Sequence, residues 1–140
     1  MMDGNQADFF TQRQQGGLPG ILDIRWQTVA ADGVSGHFTV EAKHMAANGF
    51  LHAASVIALV DSACGYGCVT ALPEGASGFT TIEIKANYLG TAKIGEVVTC
   101  EARLAHGGRT TQVWDAEAVN QTTGKTMALF RCTQMVLWPR

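Results

Sequence analysis

The longest apolar stretch of the chain begins just after an Asn48-Gly49 turn signal and is almost entirely apolar or small from Ala53 to Val69. It is too long for an ordinary strand and too short for a typical membrane span, so its length predicts a buried helix. A helix that is apolar on every side must be covered on every side. The pattern therefore predicts a loop and central helix over residues 48–70, with the rest of the chain packed around it.

The segments on both sides of this helix alternate between apolar and polar positions, as strands with one buried face do. Before the helix, two predicted strands joined by an Asp32-Gly33 turn bury Leu22, Ile24 and Trp26, then Val34, Phe38, Val40 and Ala42. After a loop at residues 73–75, the predicted inward positions are Ile82, Ile84, Ala86 and Tyr88, then Val98, Cys100, Ala102 and Leu104, then Trp114, Ala116 and Ala118. A last strand is predicted from Lys125 to Leu137.

One-sided burial is typical of antiparallel sheets. The prediction is an α+β fold, in which a curled antiparallel sheet of five to six strands wraps around one long central helix. Residues 1–20 are predicted to form an N-terminal helix and a loop, with Phe9 and Phe10 leaning on the body before a Gly- and Pro-rich break. The 140 residues are expected to form a single domain.

Composition narrows the choice of partners. The net charge is −2 and the ten Lys and Arg residues are scattered, which argues against nucleic acid and against an anionic membrane surface. Residues 1–15 lack a basic start followed by an apolar run, so we expect a cytoplasmic protein. Cys64 and Cys68 are four residues apart, but no second pair of ligands is spaced to complete a metal site, and none is expected.

Asp61 is the only charged residue inside the predicted helix. Its neighbours on a helical wheel are Ala54, Ile57, Ala58, Cys64, Gly65 and Cys68, none of which can pair with a charge. An ionised carboxylate in apolar surroundings is costly unless it is paired or held by donors. One interpretation is an ion pair with a distant Lys or Arg. The other, which we prefer, is a reactive carboxylate that faces a pocket.

The run from Gly49 to Ala54 (GFLHAA), with Asp61 nine residues after His52, resembles the G-x-x-H-G-G…D signature of hotdog-fold acyl-CoA thioesterases. The nearest resemblance is to the phenylacetate-pathway and 4-hydroxybenzoyl-CoA thioesterases. The segment TIEIKANYL, which begins at Thr81, is similar to the strand that follows the helix in this family. The resemblance covers residues 21–137. It implies a hotdog fold and hydrolysis of an acyl-CoA thioester to a carboxylic acid and free coenzyme A, without a cofactor.

The chemistry assigns roles to three candidate catalytic residues. Asp61 would act as the general base or the nucleophile, and the sequence leaves both open. The N–H of Ala53, in the first turn of the helix, would stabilise the oxyanion because amides at a helix start are unpaired. The resemblance places Thr81 beside the carboxylate. Ala53 and Ala54 stand where the family has two glycines, and Ala46 stands where the family has an Asn.

Seven further residues are candidates for substrate binding: Asn48, Gly49, His52, Ala54, Ser62, Gly65 and Arg109. Asn48 is a possible substitute for the missing family Asn, although turn formation is its commoner role. His52 is expected to orient the helix start rather than to act as a base. Arg109 follows a Gly-Gly turn and is a candidate contact for a coenzyme A phosphate. The remaining histidines, His37, His44 and His106, are expected to be solvated.

The spacing along the helix has a consequence for assembly. Ala53 and Asp61 are eight residues apart, which is about 12 Å along a helix, so one thioester carbonyl cannot touch both. If both act, they belong to two chains with antiparallel helices. The geometry predicts a homodimer with shared sites, and the resemblance implies the same, often paired again into a homotetramer.

Two other functions remain open. Hydroxyacyl dehydratases of the same fold carry a Pro-rich segment with a catalytic His before the helix, and residues 49–54 contain no Pro. A non-catalytic acyl-binding protein is the second alternative, and the replacement of both family glycines by alanine is its best support.

Overall fold

Six antiparallel strands form one sheet in a computed structural model of the protein, which describes residues 4–140. The strands are β1 (Arg25–Val29), β2 (Gly33–Thr39), β3 (Gly78–Tyr88), β4 (Val97–Gly107), β5 (Thr111–Asn120) and β6 (Lys125–Leu137). Their order across the sheet is β1-β2-β4-β5-β6-β3. The helices are α1 (Ala7–Arg13), α2 (Leu18–Ile21) and α3 (Ala53–Thr70), with a 3-10 turn at Ala42–His44. The predicted α+β architecture is confirmed.

The central helix α3 lies against the concave face of the sheet and has the bounds that its apolar run predicts. Leu59, Val60 and Ala63 are fully buried against the strands. The helix lies close to the sheet at Gly67, where a Cβ atom would lie 2.5 Å from the ring of Trp114. The run was expected to be too short for a membrane span, but α3 is, among the described residues, the one helix long and apolar enough to cross a membrane by length and composition. Its packing against the sheet accounts for that composition.

One side of α3 is not covered by its own sheet. Ala54 is exposed, and Ile57, Ala58, Asp61 and Ser62 are only half-buried. These positions recur at helical spacing, so they form a stripe along one face. A single chain therefore does not cover the helix on every side.

The start of the sheet differs from the prediction. Leu22 and Ile24 were expected on a strand beginning at residue 21, but Leu18–Ile21 is a short helix with Pro19 in its first turn. Asp23 then adopts a left-handed conformation with φ 55° and pairs with Lys43. The strand can begin only after this reversal, at Arg25. Ala42, predicted in β2, lies instead in the 3-10 turn.

The N-terminal helix lies within the predicted segment of residues 1–20. It spans Ala7–Arg13, and residues 1–3 of that segment lie outside the described residues. Phe10 is buried against the body, whereas Phe9 is exposed.

His44 was expected to be solvated, and this prediction is wrong. Its side chain is fully buried, and Nδ1 accepts a hydrogen bond from the N–H of Glu41 (2.9 Å) while Nε2 donates to the carbonyl of Leu22 (2.7 Å). The carbonyl of His44 accepts from the N–H of His52 (3.0 Å) and from Oγ of Ser55 (2.8 Å). The residue therefore anchors the start of α3.

A bulge in β3 changes which side chains face the helix. The pairing of β3 with β6 shifts register between Thr81 and Glu83. Ile82, predicted to point inward, is 51% exposed, whereas Thr81 turns toward α3 and hydrogen bonds to Asp61. The extra residue of a bulge moves its neighbours from one face of a strand to the other. Ile84 keeps its predicted inward position and packs against the core.

Candidate active site

Asp61 lies near the middle of α3 on the half-buried stripe, with its carboxylate held by β3. Oγ1 of Thr81 donates a hydrogen bond to Oδ1 of Asp61 at 3.2 Å. The ion pairs within residues 4–140 involve Asp23, Glu101 and Asp115 rather than Asp61. The interpretation of Asp61 as half of a structural ion pair therefore finds no partner in the described part of the chain.

This environment shifts the acidity of Asp61. Burial raises the pKa of the carboxyl above its ordinary value, and the hydrogen bond from Thr81 offsets part of that effect. A carboxylate with a raised pKa is a better proton acceptor near neutral pH. The surroundings thus favour base chemistry at Asp61.

A cavity of about 360 Å³ opens beside this carboxylate. From α3 it is lined by Asp61, Ser62, Gly65, Tyr66 and Val69, and from β3 by Phe79 and Thr81. A Cβ atom at Gly65 would lie 3.0 Å from Cζ of Phe79, so the glycine lets the ring rest against the helix. Four predicted site residues, Asp61, Ser62, Gly65 and Thr81, therefore border one cavity.

The third wall comes from α1 and was not predicted. Phe10, Arg13 and Gln14 line the cavity, and the ring of Phe10 stacks on Tyr66 with centroids 4.4 Å apart. Oε1 of the buried Gln14 accepts hydrogen bonds from the hydroxyl of Tyr66 (3.1 Å) and Nε1 of Trp26 (2.9 Å). Phe10 and Gln14 are four residues apart and share a helix face. That spacing marks a buried face of α1, but it does not say what the face covers.

The start of α3 holds the second predicted group. His52 is the N-cap residue, and its Nδ1 accepts a hydrogen bond from the N–H of Ala54 at 3.0 Å. The N–H of Ala53 has no acceptor within the described residues. The hydroxyl of Tyr88, at the far end of β3, donates to the carbonyl of Ala53 at 3.1 Å. The first turn of α3 is thus held from two sides and leaves one amide for a ligand.

Besides the three predicted residues at the start of α3, three more do not border the Asp61 cavity. Oδ1 of Asn48 accepts from the N–H of Phe50 (3.2 Å), which is a turn role. Gly49 has a left-handed φ of 86° and lines a separate cavity of about 390 Å³. The guanidinium of Arg109 lies over the ring of Trp138, 4.2 Å from its centroid. Within one chain, none of the three borders the cavity beside the carboxylate.

Comparison with known proteins decides the family. Residues 48–127, more than half of the chain, match the Thioesterase superfamily. The chain belongs to this superfamily. It is 28% identical over 127 residues to the 1,4-dihydroxy-2-naphthoyl-CoA hydrolase of Escherichia coli K12, covering 88% of each protein.

Solved structures, a thioesterase among them, have the same fold. Thioesterase PA1618 of Pseudomonas aeruginosa superposes with a TM-score of 0.89 at 24% identity, covering 96% of each chain. The protein smu.793 of Streptococcus mutans UA159, solved bound to acetyl CoA, superposes with a TM-score of 0.75 at 25% identity, covering 84% of this chain and 90% of that one. The predicted hotdog fold and thioesterase activity are confirmed.

Proposed function

We propose that this thioesterase hydrolyses an acyl-CoA thioester to the carboxylic acid and free coenzyme A, with Asp61 as the reacting carboxylate. The observation that carries the proposal is a half-buried carboxylate without a described cation partner, held by Thr81 at the wall of a cavity. The names of the Escherichia coli relative and of the acetyl CoA complex support coenzyme A as the thiol. We expect this reaction to take place in the cytoplasm.

Two routes use this carboxylate. As a general base, Asp61 takes a proton from water while the water oxygen attacks the thioester carbon. As a nucleophile, its oxygen attacks the same carbon, coenzyme A thiolate departs, and water hydrolyses the resulting anhydride. Both routes place negative charge on the former carbonyl oxygen, for which the N–H of Ala53 is the donor. A single turnover in ¹⁸O-labelled water identifies the nucleophilic route in which water attacks the aspartyl carbon of the anhydride, because the label then enters Asp61 and the first acid product is unlabelled. The general-base route puts the label in the acid product and none in Asp61.

The proposed site needs two copies of the chain. Ala53 and Asp61 lie eight residues apart on one helix, about 12 Å along its axis. The half-buried stripe of α3 is a surface that a second copy would cover, and β3 lies at the edge of the sheet. A two-fold axis would bring the start of one α3 opposite Asp61 of the other, because such an interface uses the same patch twice. Pairing of two such dimers into a homotetramer stays a prediction.

The cavity suits an aromatic or medium-length acyl group. Its volume of about 360 Å³ is near the lower end of ordinary ligand sites. Phe10, Tyr66 and Phe79 contribute aromatic walls. Flat rings favour offset or edge contacts with other rings, so a phenyl or benzoyl group fits this lining.

A panel of acyl-CoA thioesters tests the function. Acetyl-, hexanoyl-, benzoyl- and phenylacetyl-CoA are each incubated with the full chain, and the released thiol is followed. We expect the aromatic and medium acyl groups to be hydrolysed faster than acetyl. Tight binding of the whole panel without thiol release would support the acyl-binding alternative. A change in enoyl absorbance with hydroxyacyl-CoA would support the dehydratase.

A further inference from the structure

Gln134, in β6, is fully buried, and neither Oε1 nor Nε2 has a hydrogen-bond partner within the described residues. No other buried side-chain nitrogen or oxygen in that part of the chain lacks a partner. Buried amides are nearly always hydrogen bonded, since an unpaired one is destabilising. The position therefore requires a physical explanation.

The sheet register places Gln134 in a row of polar side chains beneath α3. It lies directly opposite Thr81 of β3 on one side and Gln112 of β5 on the other. Residues directly opposite in an antiparallel pair share a face and have Cβ atoms about 4.5–5.5 Å apart. The hydroxyl of Thr81 on this face bonds Asp61. The row therefore ends at the proposed catalytic carboxylate.

Thr81 is the better partner of the two neighbours. Nε2 of Gln112 donates to the carbonyl of Ala71 (3.2 Å), and its Oε1 accepts from Nε1 of Trp114 (2.9 Å). A threonine hydroxyl carries one proton and two acceptor sites. The hydroxyl proton of Thr81 is used in the hydrogen bond to Asp61. The acceptor sites of the same oxygen are therefore left for a hydrogen bond from the amide of Gln134.

We propose that Gln134 is a positioning residue of the site under Proposed function: its amide donates to Oγ1 of Thr81, directly or through one water, and so keeps the Thr81 hydroxyl oriented to donate its hydrogen bond to Asp61. A hydroxyl that accepts a hydrogen bond donates a stronger one. The series of hydrogen bonds from Gln134 through Thr81 to Asp61 therefore stabilises the ionised form of Asp61. The inference rests on the proposed catalytic role of Asp61.

Within one chain, the other ionisable groups around Asp61 do not obscure its titration. In the proposed dimer the start of the second copy's α3, with its N-cap His52, also faces Asp61, so the comparison below is repeated in a His52→Asn background, which keeps a capping acceptor. Arg13 of α1 and Tyr66 of α3 border the same cavity, and Cys64 lies one turn along α3. β3 contributes Thr81 and Phe79, neither of them charged. The hydrogen bond with Cys132 and burial raise the pKa of the Cys64 thiol, and burial raises the pKa of Tyr66. Both of these groups therefore stay neutral in acid.

The test compares pH profiles of the full chain with its best acyl-CoA substrate. Gln134→Leu removes the amide at similar volume. We expect the acidic limb of kcat/KM to move to higher pH by roughly half a unit, because the lost bond acts on Asp61 only through Thr81. In the Thr81→Val background the same change should move the limb no further. Gln112→Leu, one strand away in the row, is the matched control and should leave the limb in place.

Two results would overturn the proposal. One is an unmoved limb in Gln134→Leu, and the other is a shift that adds fully to that of Thr81→Val. Should Gln134→Leu fail to fold, Gln134→Met replaces it in both backgrounds. Carboxyl ¹³C titration of Asp61 without substrate separates this link from the proposed function. A raised pKa in Gln134→Leu supports the link even without hydrolysis, whereas an unchanged pKa in an active enzyme rejects the link alone.

Discussion

The carboxyl of Asp61 has a raised pKa and is held by a hydrogen bond from Thr81. Burial is the larger cause, and the bond from Thr81 offsets it only in part. The carboxyl therefore holds its proton more tightly in the folded chain than in the unfolded chain. The free energy of unfolding then falls as pH rises from the unfolded pKa through the folded pKa. Below both pKa values the contribution of Asp61 to the free energy of unfolding is fully present. At neutral pH the ionised carboxylate lowers the free energy of unfolding.

The substitution Asp61→Asn tests this balance. It keeps shape and volume but removes the nucleophilic oxygen and the base, so turnover should fall by about 10²-fold or more. Stability at neutral pH should hold or rise because a half-buried charge becomes a neutral amide. Thioester hydrolysis and thermal unfolding are measured on one preparation, with Asp32→Asn, at an exposed turn position, as the control. A destabilised variant with near-normal turnover per folded molecule would end the catalytic role.

The His52 cap gives a second prediction at this scale. His52→Ala removes the acceptor for the N–H of Ala54 and should lower the free energy of unfolding by about 0.5–2 kcal/mol. Turnover should fall far less than in Asp61→Asn. His52→Asn restores a capping acceptor and should recover most of the stability, as measured by urea unfolding. A loss of turnover as deep as that of Asp61→Asn, in a folded dimer, would instead make His52 catalytic.

Among the secondary-structure elements, α1 is attached to the body by the buried Phe10 and by the hydrogen bonds of Gln14, the residue that follows its last turn. The buried Gln14 donates through Nε2 to the carbonyl of Ile24 (2.5 Å) and accepts from Trp26 and Tyr66 through Oε1. Because α1 forms a wall of the cavity, these bonds also set the shape of the acyl site. A seven-residue helix has little stability of its own.

Gln14→Leu should therefore affect both stability and binding. It leaves Nε1 of Trp26 and the hydroxyl of Tyr66 without their acceptor, and each unsatisfied group costs about 1–3 kcal/mol. We expect lower stability in urea and a higher KM for aromatic acyl-CoA, with kcat less affected. Gln12→Leu, on the exposed side of the same helix, is the control. An unchanged KM in a clearly destabilised variant would show that α1 does not shape the acyl site.

At the scale of the whole molecule, the unfinished cover of α3 predicts an obligate dimer. Sedimentation at micromolar concentration should detect no folded monomer. Ala58→Glu places a charge in the half-buried stripe and should dissociate the dimer and abolish turnover, because charges are disfavoured in interface cores. Ala105→Glu, at an exposed position of β4, should change neither. A stable and active monomer would contradict the two-chain site.

Much of the fold follows from local patterns in the sequence. The apolar run from Ala53 predicts α3, and the alternation along β4 and β5 predicts their buried faces, because both signals repeat within a few residues. The lone charge within that run points to Asp61 as the reactive group. These features need no knowledge of what packs against them.

Other features of the site depend on contacts between segments that are distant in the sequence, and only the tertiary structure decided them. The register of β3 against β6 contains a bulge that places Thr81 on the inward face and Ile82 on the exposed face. A strict alternation of apolar and polar residues cannot reveal such a change of register. The bonds of Gln14 made α1 a wall of the cavity, and the partners of His44 made it a buried anchor. Each outcome depends on donors and acceptors more than ten residues away or on a turn geometry. The sequence therefore determined the central helix and its reactive carboxylate, whereas long-range pairing decided which side chains surround it.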